Sequence, residues 1–124
     1  MKINCDGSSL GAHSCGAIGL VLRDSNVVFL WALSCNIGHA TPIESELCAV
    51  MLAIEKDLDL RLTNICLETD SLKVVNAYIK GVGIPWQMRA RWHNCISFCR
   101  SISCICVHTL REGKMVADAL AKHG

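Results

Sequence analysis

The sequence has almost no net charge. Twelve lysines and arginines against eleven aspartates and glutamates give a formal net charge of +1 at pH 7. A chain so close to neutrality has no strong overall field that would draw it to nucleic acid or to an anionic membrane. Any polyanionic partner must therefore be held by a local group of cations.

The sequence also lacks a long apolar run. The uncharged stretch 7–22 is interrupted by glycine, serine and histidine, and no window holds the roughly 20 apolar residues that a membrane-spanning helix needs. Lys2, Asn4 and Asp6 lie where a secretory signal would have its apolar region. We therefore expect no membrane association and an intracellular protein, cytoplasmic or nuclear, that is not secreted.

No C-x-x-C motif is present, although the chain has nine cysteines. Their odd number and their position in predicted strands and helices argue against a disulfide framework and against a disulfide-linked partner. Four of the cysteines are close in sequence and could instead bind zinc, namely Cys95, Cys99, Cys104 and Cys106. We favour core packing, because free cysteine behaves as a small buried hydrophobe.

What the sequence has in abundance is apolar side chains, which make up 52% of its 124 residues. That length and composition predict one folded domain over 1–124 with a large core. Hydrophobic periodicity predicts strands at 2–5, 17–23, 27–37, 63–68 and 102–108, and helices at 43–58, 72–79, 88–99 and 115–120. An antiparallel hairpin that continues into parallel crossovers predicts an α/β fold, a mixed sheet flanked by helices.

Four acidic residues fall at the junctions of these elements. Asp6 and Asp70 end the first and fourth predicted strands, so parallel pairing would set them side by side, where their charges repel. Glu46 lies on the small-residue face of the first helix, whereas Glu44 has a structural role in a capping box. Asp118 lies in the last helix. Taken singly, these acids are also typical of turns, helix caps and solvated faces.

Carboxylates that converge in this way suit Mg²⁺ or Mn²⁺, which prefer hard oxygen ligands and substrate phosphate. Two such ions can support the hydrolysis of a phosphodiester. The acids therefore predict a phosphodiesterase site at one end of the sheet.

Five segments together resemble the ribonuclease H family, more closely its plant branch related to the ribonuclease H region of retroelements. They read DGSSLG, GAIGLVLRDSN, ESELCAVMLAIE, LETDSLKVV and VHTLREGKMVADALAKHG. The resemblance implies a five-stranded mixed sheet in the order 3-2-1-4-5 with strand 2 antiparallel. It also implies a site for two Mg²⁺ ions, with Mn²⁺ as a substitute, formed by Asp6, Glu46, Asp70 and Asp118.

The implied activity is endonucleolytic hydrolysis of the RNA strand of an RNA/DNA hybrid, which leaves 5′-phosphate ends. His108 matches the family histidine that transfers protons or aids product release. The residues expected to contact the hybrid are Gly7, Ser8, Gly11, Thr41, Arg89, Arg111 and Lys114. We expect Arg89 and Arg91 to point outwards from their helix and Trp92 to lie in the core.

The chain departs from the family pattern near the substrate. It has Ala12, His13 and Ser14 where relatives often have Asn-Pro-Gly, Pro42 and Ile43 in place of amides, and Lys114 in place of an asparagine. These departures keep open a second interpretation, a retroelement-derived module that binds nucleic acid but hydrolyses little. A related nuclease for other substrates is a third. We expect a monomer, and the domain is compatible with a place in a longer polyprotein.

Overall fold

The structure is a computed structural model that describes residues 1–9, 15–24 and 29–109. The strands are β1 Lys2–Ser9, β2 Cys15–Arg23, β3 Phe29–His39, β4 Asn64–Thr69 and β5 Ser103–His108. The helices are α1 Pro42–Leu60, α2 Leu72–Lys80 and α3 Arg89–Arg100, and a single 3₁₀ turn, Trp86–Met88, leads into α3.

One sheet contains the five strands in the order β3-β2-β1-β4-β5. β2 pairs antiparallel with both β1 and β3, while β4 pairs parallel with β1 and with β5. The sheet order and the direction of strand 2 are therefore as the sequence resemblance implies. In this arrangement β1 is the central strand, and its carboxyl end lies beside the carboxyl end of β4.

The start of α1 follows the predicted capping chemistry. The Thr41 hydroxyl accepts a hydrogen bond from the Glu44 backbone N–H at 3.3 Å, and the Glu44 carboxylate accepts one from the Thr41 N–H at 2.9 Å. Pro42 occupies the first helical position, where its missing N–H costs nothing. These contacts confirm the predicted helix start, and the helix ends at Arg61, which takes a left-handed conformation.

The core lies between the sheet and the three helices. Trp92 is 3% exposed and packs with the central strands and α1, as its periodicity predicts. The cysteines in this core are Cys5, Cys95, Cys99 and Cys106. All seven cysteines that the structure describes in full are free thiols, which fits their interpretation as small hydrophobes.

Several strand boundaries differ from the sequence prediction. β1 continues to Ser9, so Asp6 lies within this strand and does not end it. The strand is longer because β2 pairs with it as far as Ser9↔Gly16, beyond the end of the parallel pairing with β4. β3 begins at Phe29 and reaches His39. The predicted final helix 115–120 lies outside the described residues, and so does most of the predicted turn 24–26.

Among the helices of the described ranges, none is both long and apolar enough to cross a membrane.

Candidate active site

Gly7 brings α1 into direct contact with the central strand. A Cβ atom at this position would lie 2.3 Å from the carbonyl carbon and oxygen of Ser45 and 2.5 Å from the backbone nitrogen of Glu46. Only a glycine permits so close an approach between a strand and a helix backbone. The contact fixes the first turns of α1 over β1, with the Glu46 backbone beside Gly7, the residue that follows Asp6.

The parallel pairing of β1 with β4 brings the second pair of acids together. The register runs through Ile3↔Leu67 and Asn4↔Glu68. Continued by two residues, it sets Asp6 opposite Asp70, the residue that follows β4. Asp6 is 5% exposed, whereas Asp70 is half-buried.

The electrostatics of Glu46 show that this side chain faces the end of β4. Burial raises its pKa most, a side-chain hydrogen bond with Ser71 lowers it, and the negative charge of Asp70 raises it again. Lys73 adds a smaller lowering effect. The net direction is upward, because two carboxylates share a partly desolvated space. Glu46 and Asp70 therefore face each other, and the strand register places Asp6 on the neighbouring strand at the same end of the sheet.

β5 delivers His108 to the same place. The ring Nε2 lies 3.1 Å from the backbone carbonyl oxygen of Asp70, and the next residue, Thr109, donates its N–H to the Thr69 carbonyl at 2.8 Å. The imidazole is exposed. Since a carbonyl oxygen can only accept a hydrogen bond, Nε2 carries the hydrogen, and in the neutral ring Nδ1 remains able to accept a proton.

A buried polar cluster lies one step further back along β1 and β4. The guanidinium of Arg23 donates to the amide oxygen of Asn4 and to the Glu68 carboxylate at 3.1 Å. Asn4 and Glu68 are almost fully buried. Arg23 lies on β2, Asn4 on β1 and Glu68 on β4. The two hydrogen bonds of Arg23 therefore hold these three strands together just before Asp6 and Asp70.

The donor set fits a hard divalent cation. Three carboxylates lie on neighbouring elements at this end of the sheet, and repulsion among them would be relieved by positive charge. Within the part of the chain that the structure describes, no three His, Cys, Asp or Glu side chains form a ready-made metal cluster. The fourth predicted ligand, Asp118, lies outside the described residues.

The structure describes only some of the residues that are predicted to contact the substrate. Gly7 lies under α1, and the Thr41 hydroxyl is engaged in the helix cap, where it still has its own hydrogen to donate. The backbone of Ser8 belongs to β1. Arg89 is exposed and donates from Nε to the Ile84 carbonyl at 3.4 Å. Gly11, Arg111 and Lys114 lie outside the described residues.

Arg89 also lines a cavity of about 580 Å³ between α2, the segment 81–84 and α3. The lining includes the cations Lys80, Arg89 and Arg100, together with His93, and none of the described lining residues is an aspartate or glutamate. The neighbouring Arg91 is exposed, as expected from the sequence, but its charge is paired. It makes a two-point ion pair with Glu55 of α1, with N to O distances of 2.5 and 2.8 Å, so its charge is locally neutralised.

Two residues near the acids were not singled out as site residues from the sequence. Ser71 caps α2 by accepting from the Val74 N–H at 3.3 Å, and its hydroxyl also bonds to Glu46. Lys73, exposed on the first turn of α2, acts on the Glu46 charge. The signal that could have indicated both is their position directly after Asp70, where a helix begins.

Comparison with known families matches residues 4–124 to the family described as reverse transcriptase-like. The chain belongs to this family, and it is a ribonuclease H-type domain. An Arabidopsis thaliana protein named as a candidate ribonuclease H is 27% identical over 124 residues, which are 99% of this chain and 20% of that protein. The ribonuclease H domain thus spans about a fifth of the length of that relative.

Solved structures agree with this family at the level of the fold. Ribonuclease H1 of the halophilic archaeon Halobacterium salinarum superposes with a TM-score of 0.86 at 24% identity, and the match covers 98% of this chain and 94% of that one. LC11 ribonuclease H1, crystallised with an RNA/DNA hybrid, gives 0.85 at 23% identity, with coverage of 99% and 94%. The protease-reverse transcriptase of prototype foamy virus gives 0.80 at 21%, over 99% of this chain and 20% of that protein.

Proposed function

We propose that this domain is an endonuclease that hydrolyses the RNA strand of RNA/DNA hybrids in a Mg²⁺-dependent reaction and leaves 5′-phosphate ends. The proposal is supported by Glu46 and Asp70, which face each other at the carboxyl end of β4, by Asp6 on the neighbouring strand, and by the His108 ring 3.1 Å from the Asp70 carbonyl. Membership of the ribonuclease H family supports it. So does the hybrid bound to LC11 ribonuclease H1, which has the same fold.

The proposed ligands for two Mg²⁺ ions are Asp6, Glu46, Asp70 and Asp118, and Mn²⁺ is expected to replace Mg²⁺. Bound Mg²⁺ supplies positive charge that neutralises the phosphate and acidifies water. Because the pKa of Glu46 is raised, its carboxyl must lose a proton before it can serve as a ligand. The raised pKa is therefore expected to shift the acidic loss of activity to higher pH than an ordinary glutamate would give.

His108 is proposed to move a proton. Its Nε2 is held by the Asp70 carbonyl at 3.1 Å, which leaves Nδ1 on an exposed ring to exchange a proton with the reacting phosphate or with water. An imidazole has one ring nitrogen that can accept a proton while the other donates, so the ring can both accept and release that proton. The same hydrogen bond keeps the ring at the carboxylates without fixing it in a buried pocket.

The hybrid is proposed to be held by few contacts. Backbone groups around Gly7, Ser8 and Gly11 can approach a sugar-phosphate chain closely, and the Thr41 hydroxyl can donate to phosphate. Arg89, Arg111 and Lys114 are the proposed cations, and Lys80 and Arg100 share the cavity of Arg89. With a net charge of only +1, binding should weaken steeply as salt is added.

The test is cleavage of an end-labelled RNA/DNA hybrid, with duplex RNA and duplex DNA as competing substrates. Reactions contain Mg²⁺, Mn²⁺ or chelator. Asp70→Asn is compared with Asp59→Asn, a matched control because Asp59 is exposed near the far end of α1. We expect metal-dependent cutting of the RNA strand only, lost in Asp70→Asn and kept in Asp59→Asn. Full activity of Asp70→Asn would refute the assignment of the acids.

A binding module with little hydrolysis is the second candidate. It is favoured by the departures from the family pattern near the substrate, at Ala12, Pro42, Ile43 and Lys114. A folded chain that binds the hybrid but gives no Mg²⁺-dependent turnover would establish this alternative. A place in a longer polyprotein is also proposed, supported by the small share of the Arabidopsis and foamy virus proteins that the domain matches.

A further inference from the structure

One nitrogen atom of Arg23 joins two neighbouring strands just behind the acids. The Nη2 group of Arg23 donates one hydrogen bond to the side-chain oxygen of Asn4 and another to the Glu68 carboxylate at 3.1 Å. Arg23 is the last residue of β2, which is not a neighbour of β4 in the sheet. Its side chain therefore reaches across β1 and links strands that the backbone of β2 cannot join.

The two acceptors form the last backbone pair between β1 and β4. In the described part of the chain, the parallel register of these strands ends at Asn4↔Glu68. β1 then continues along β2, while β4 continues along β5. Beyond the Asn4 pair the two strands thus follow different neighbours, and the described register contains no further pair that fixes the distance between them.

Asp6 and Asp70 lie just past this last pair. Each acid follows a member of the pair by two residues, which is about 6–7 Å along an extended chain. Side chains two residues apart in a strand lie on the same face of the sheet, so Asp6 shares the face of Asn4. The bridge of Arg23 is therefore placed to set the separation of β1 and β4 where the acids leave the paired region.

Stability alone does not account for this bridge. Asn4 and Glu68 are 1% and 3% exposed, and the Arg23 side chain is 14% exposed, so both charges have lost most of their water. Among the described residues, the Asn4 amide nitrogen and the Arg23 Nε are buried without a hydrogen-bond partner. A buried ion pair with unsatisfied donors is often no more stabilising than apolar side chains of similar volume. The geometry that the bridge imposes on the strands is the better explanation for it.

We propose that Arg23 is a positioning residue for the metal site, and that its bridge makes the site select Mg²⁺ over the larger cation Ca²⁺. Mg²⁺ requires near-ideal octahedral coordination at about 2.0–2.1 Å, whereas Ca²⁺ takes about six to eight oxygens at 2.3–2.6 Å in flexible geometry. Carboxylates on strands of fixed separation can meet the narrow requirement. Carboxylates on strands that spread apart meet only the wider one. The inference rests on the proposed function, because it takes the acids as metal ligands.

The ratio of the two metal affinities separates geometry from charge. Mg²⁺ and Ca²⁺ carry the same charge, so the loss of a nearby cation changes the attraction of both ions in the same direction and to a similar degree. A change in the spacing of the ligands acts more strongly on Mg²⁺ than on Ca²⁺. The informative quantity is therefore the Mg²⁺ affinity divided by the Ca²⁺ affinity.

Titration of the folded chain with each metal alone, followed by NMR spectroscopy, measures both affinities without substrate. In Arg23→Met, which removes the donors, we expect the Mg²⁺ affinity to fall about 10-fold and the Ca²⁺ affinity to fall much less. Arg23→Lys keeps the charge and can donate from one nitrogen to both oxygens, so it should restore part of the ratio. An unchanged ratio in Arg23→Met would overturn the proposal.

A second variant keeps the ion pair intact. Asn4→Ala removes only the arm of the bridge that reaches β1, and Arg23 can still pair with Glu68. It should lower the ratio as Arg23→Met does, because β1 is released from β4 in both variants. If Arg23→Met does not fold, Asn4→Ala decides the question, and a ratio equal to that of the unsubstituted chain would refute the role of the bridge.

Arg91→Met is the matched control. It also takes an arginine from an ion pair with a glutamate, in this case between α3 and α1. Its ratio of affinities should equal that of the unsubstituted chain, and circular dichroism should show that each variant is folded. A decrease in Arg91→Met as large as that in Arg23→Met would point to a general loss of structure and would contradict the proposal.

Cleavage of the RNA/DNA hybrid then distinguishes this proposal from the proposed function. In Arg23→Met, the Mg²⁺ concentration that gives half of the maximal rate should rise. A chain that shows the expected affinity ratios but cuts no hybrid would refute the nuclease activity and support the role of Arg23. An unchanged Mg²⁺ affinity in Asp70→Asn would refute the acids as ligands, and both proposals with them.

Discussion

Replacing Gly7 by alanine tests whether the contact between β1 and α1 builds the acid site. The added Cβ would stand 2.3 Å from two backbone atoms of Ser45 and 2.5 Å from the Glu46 nitrogen. Those atoms belong to a helix, so no single side chain can rotate away. Gly7 lies in a strand and has no positive φ, so any cost of the alanine must be steric.

The size of the effect follows from these distances. Carbon atoms rest about 3.5 to 4.0 Å apart, so α1 must move away from β1 by roughly 1 Å or more. A gap of about 0.5–1 Å already loses a quarter to a half of the dispersion energy of each contact that opens. Overpacking of this kind typically costs about 1–3 kcal/mol, and we expect Gly7→Ala at the upper end. The same movement draws Glu46 away from Asp6 and Asp70.

Urea denaturation followed by circular dichroism measures the free energy of unfolding. Gly81→Ala is the control, because Gly81 caps α2 with a φ of 69° in open space. That alanine is expected to lose about 1–2 kcal/mol through backbone strain alone and to leave nuclease activity unchanged. Gly7→Ala should lose both stability and activity. A Gly7→Ala chain within about 0.5 kcal/mol of the unsubstituted protein would refute the steric argument.

Three further changes test the electrostatics. Asp57 is fully buried, and burial raises its pKa from 3.8 to about 7, so the folded state retains a proton that the unfolded state releases. The free energy of unfolding should therefore fall by up to about 4 kcal/mol as pH rises from about 4 to about 7. Urea titrations of Asp57→Asn should show that this dependence on pH is removed. Arg91→Ala should cost only about 0.2–1 kcal/mol, because the pair with Glu55 is exposed, and a double-mutant cycle with Glu55→Ala should show the coupling shrink in high salt. In the absence of divalent metal and at pH values above 5, Glu46→Gln should have a higher melting temperature than the unsubstituted protein. The reason is that the raised pKa of Glu46 means that its charged form is disfavoured in the folded state. An unchanged melting temperature would contradict this.

The fold was accessible from the sequence because its signals are local. The capping box at Thr41 and Glu44 marks the start of α1, and the spacing of Trp92, Cys95 and Cys99 marks the buried face of α3. The end of β1 was not accessible in the same way. It is set by pairing with a strand that is distant in sequence, and that pairing carries Asp6 into the middle of a longer strand.

The candidate site was predicted less completely. The choice of Glu46 over Glu44 rests on the capping box, and the structure confirms the capping role of Glu44. The partner of Arg91 could not be read from its own helix, because Glu55 lies on α1 and only tertiary packing brings the two side chains together. Periodicity assigned Arg91 to an outward face, but no local pattern indicates which charge lies across a helix interface.

The position of the acids relative to helix ends explains how the fold tolerates them. Asp70 immediately precedes Ser71, the N-cap of α2, and Glu46 lies near the start of α1. The N-terminus of a helix carries a partial positive charge and unpaired N–H groups, which favour nearby carboxylates. Ser71 adds a hydrogen bond to Glu46, and Lys73 adds a full positive charge. Ser71 lowers the pKa of Glu46 more than Asp70 raises it, so the pKa stays above its ordinary value because the carboxyl is partly buried. A divalent cation in the proposed site would relieve that cost, because it would give the partly buried carboxylate a charge partner.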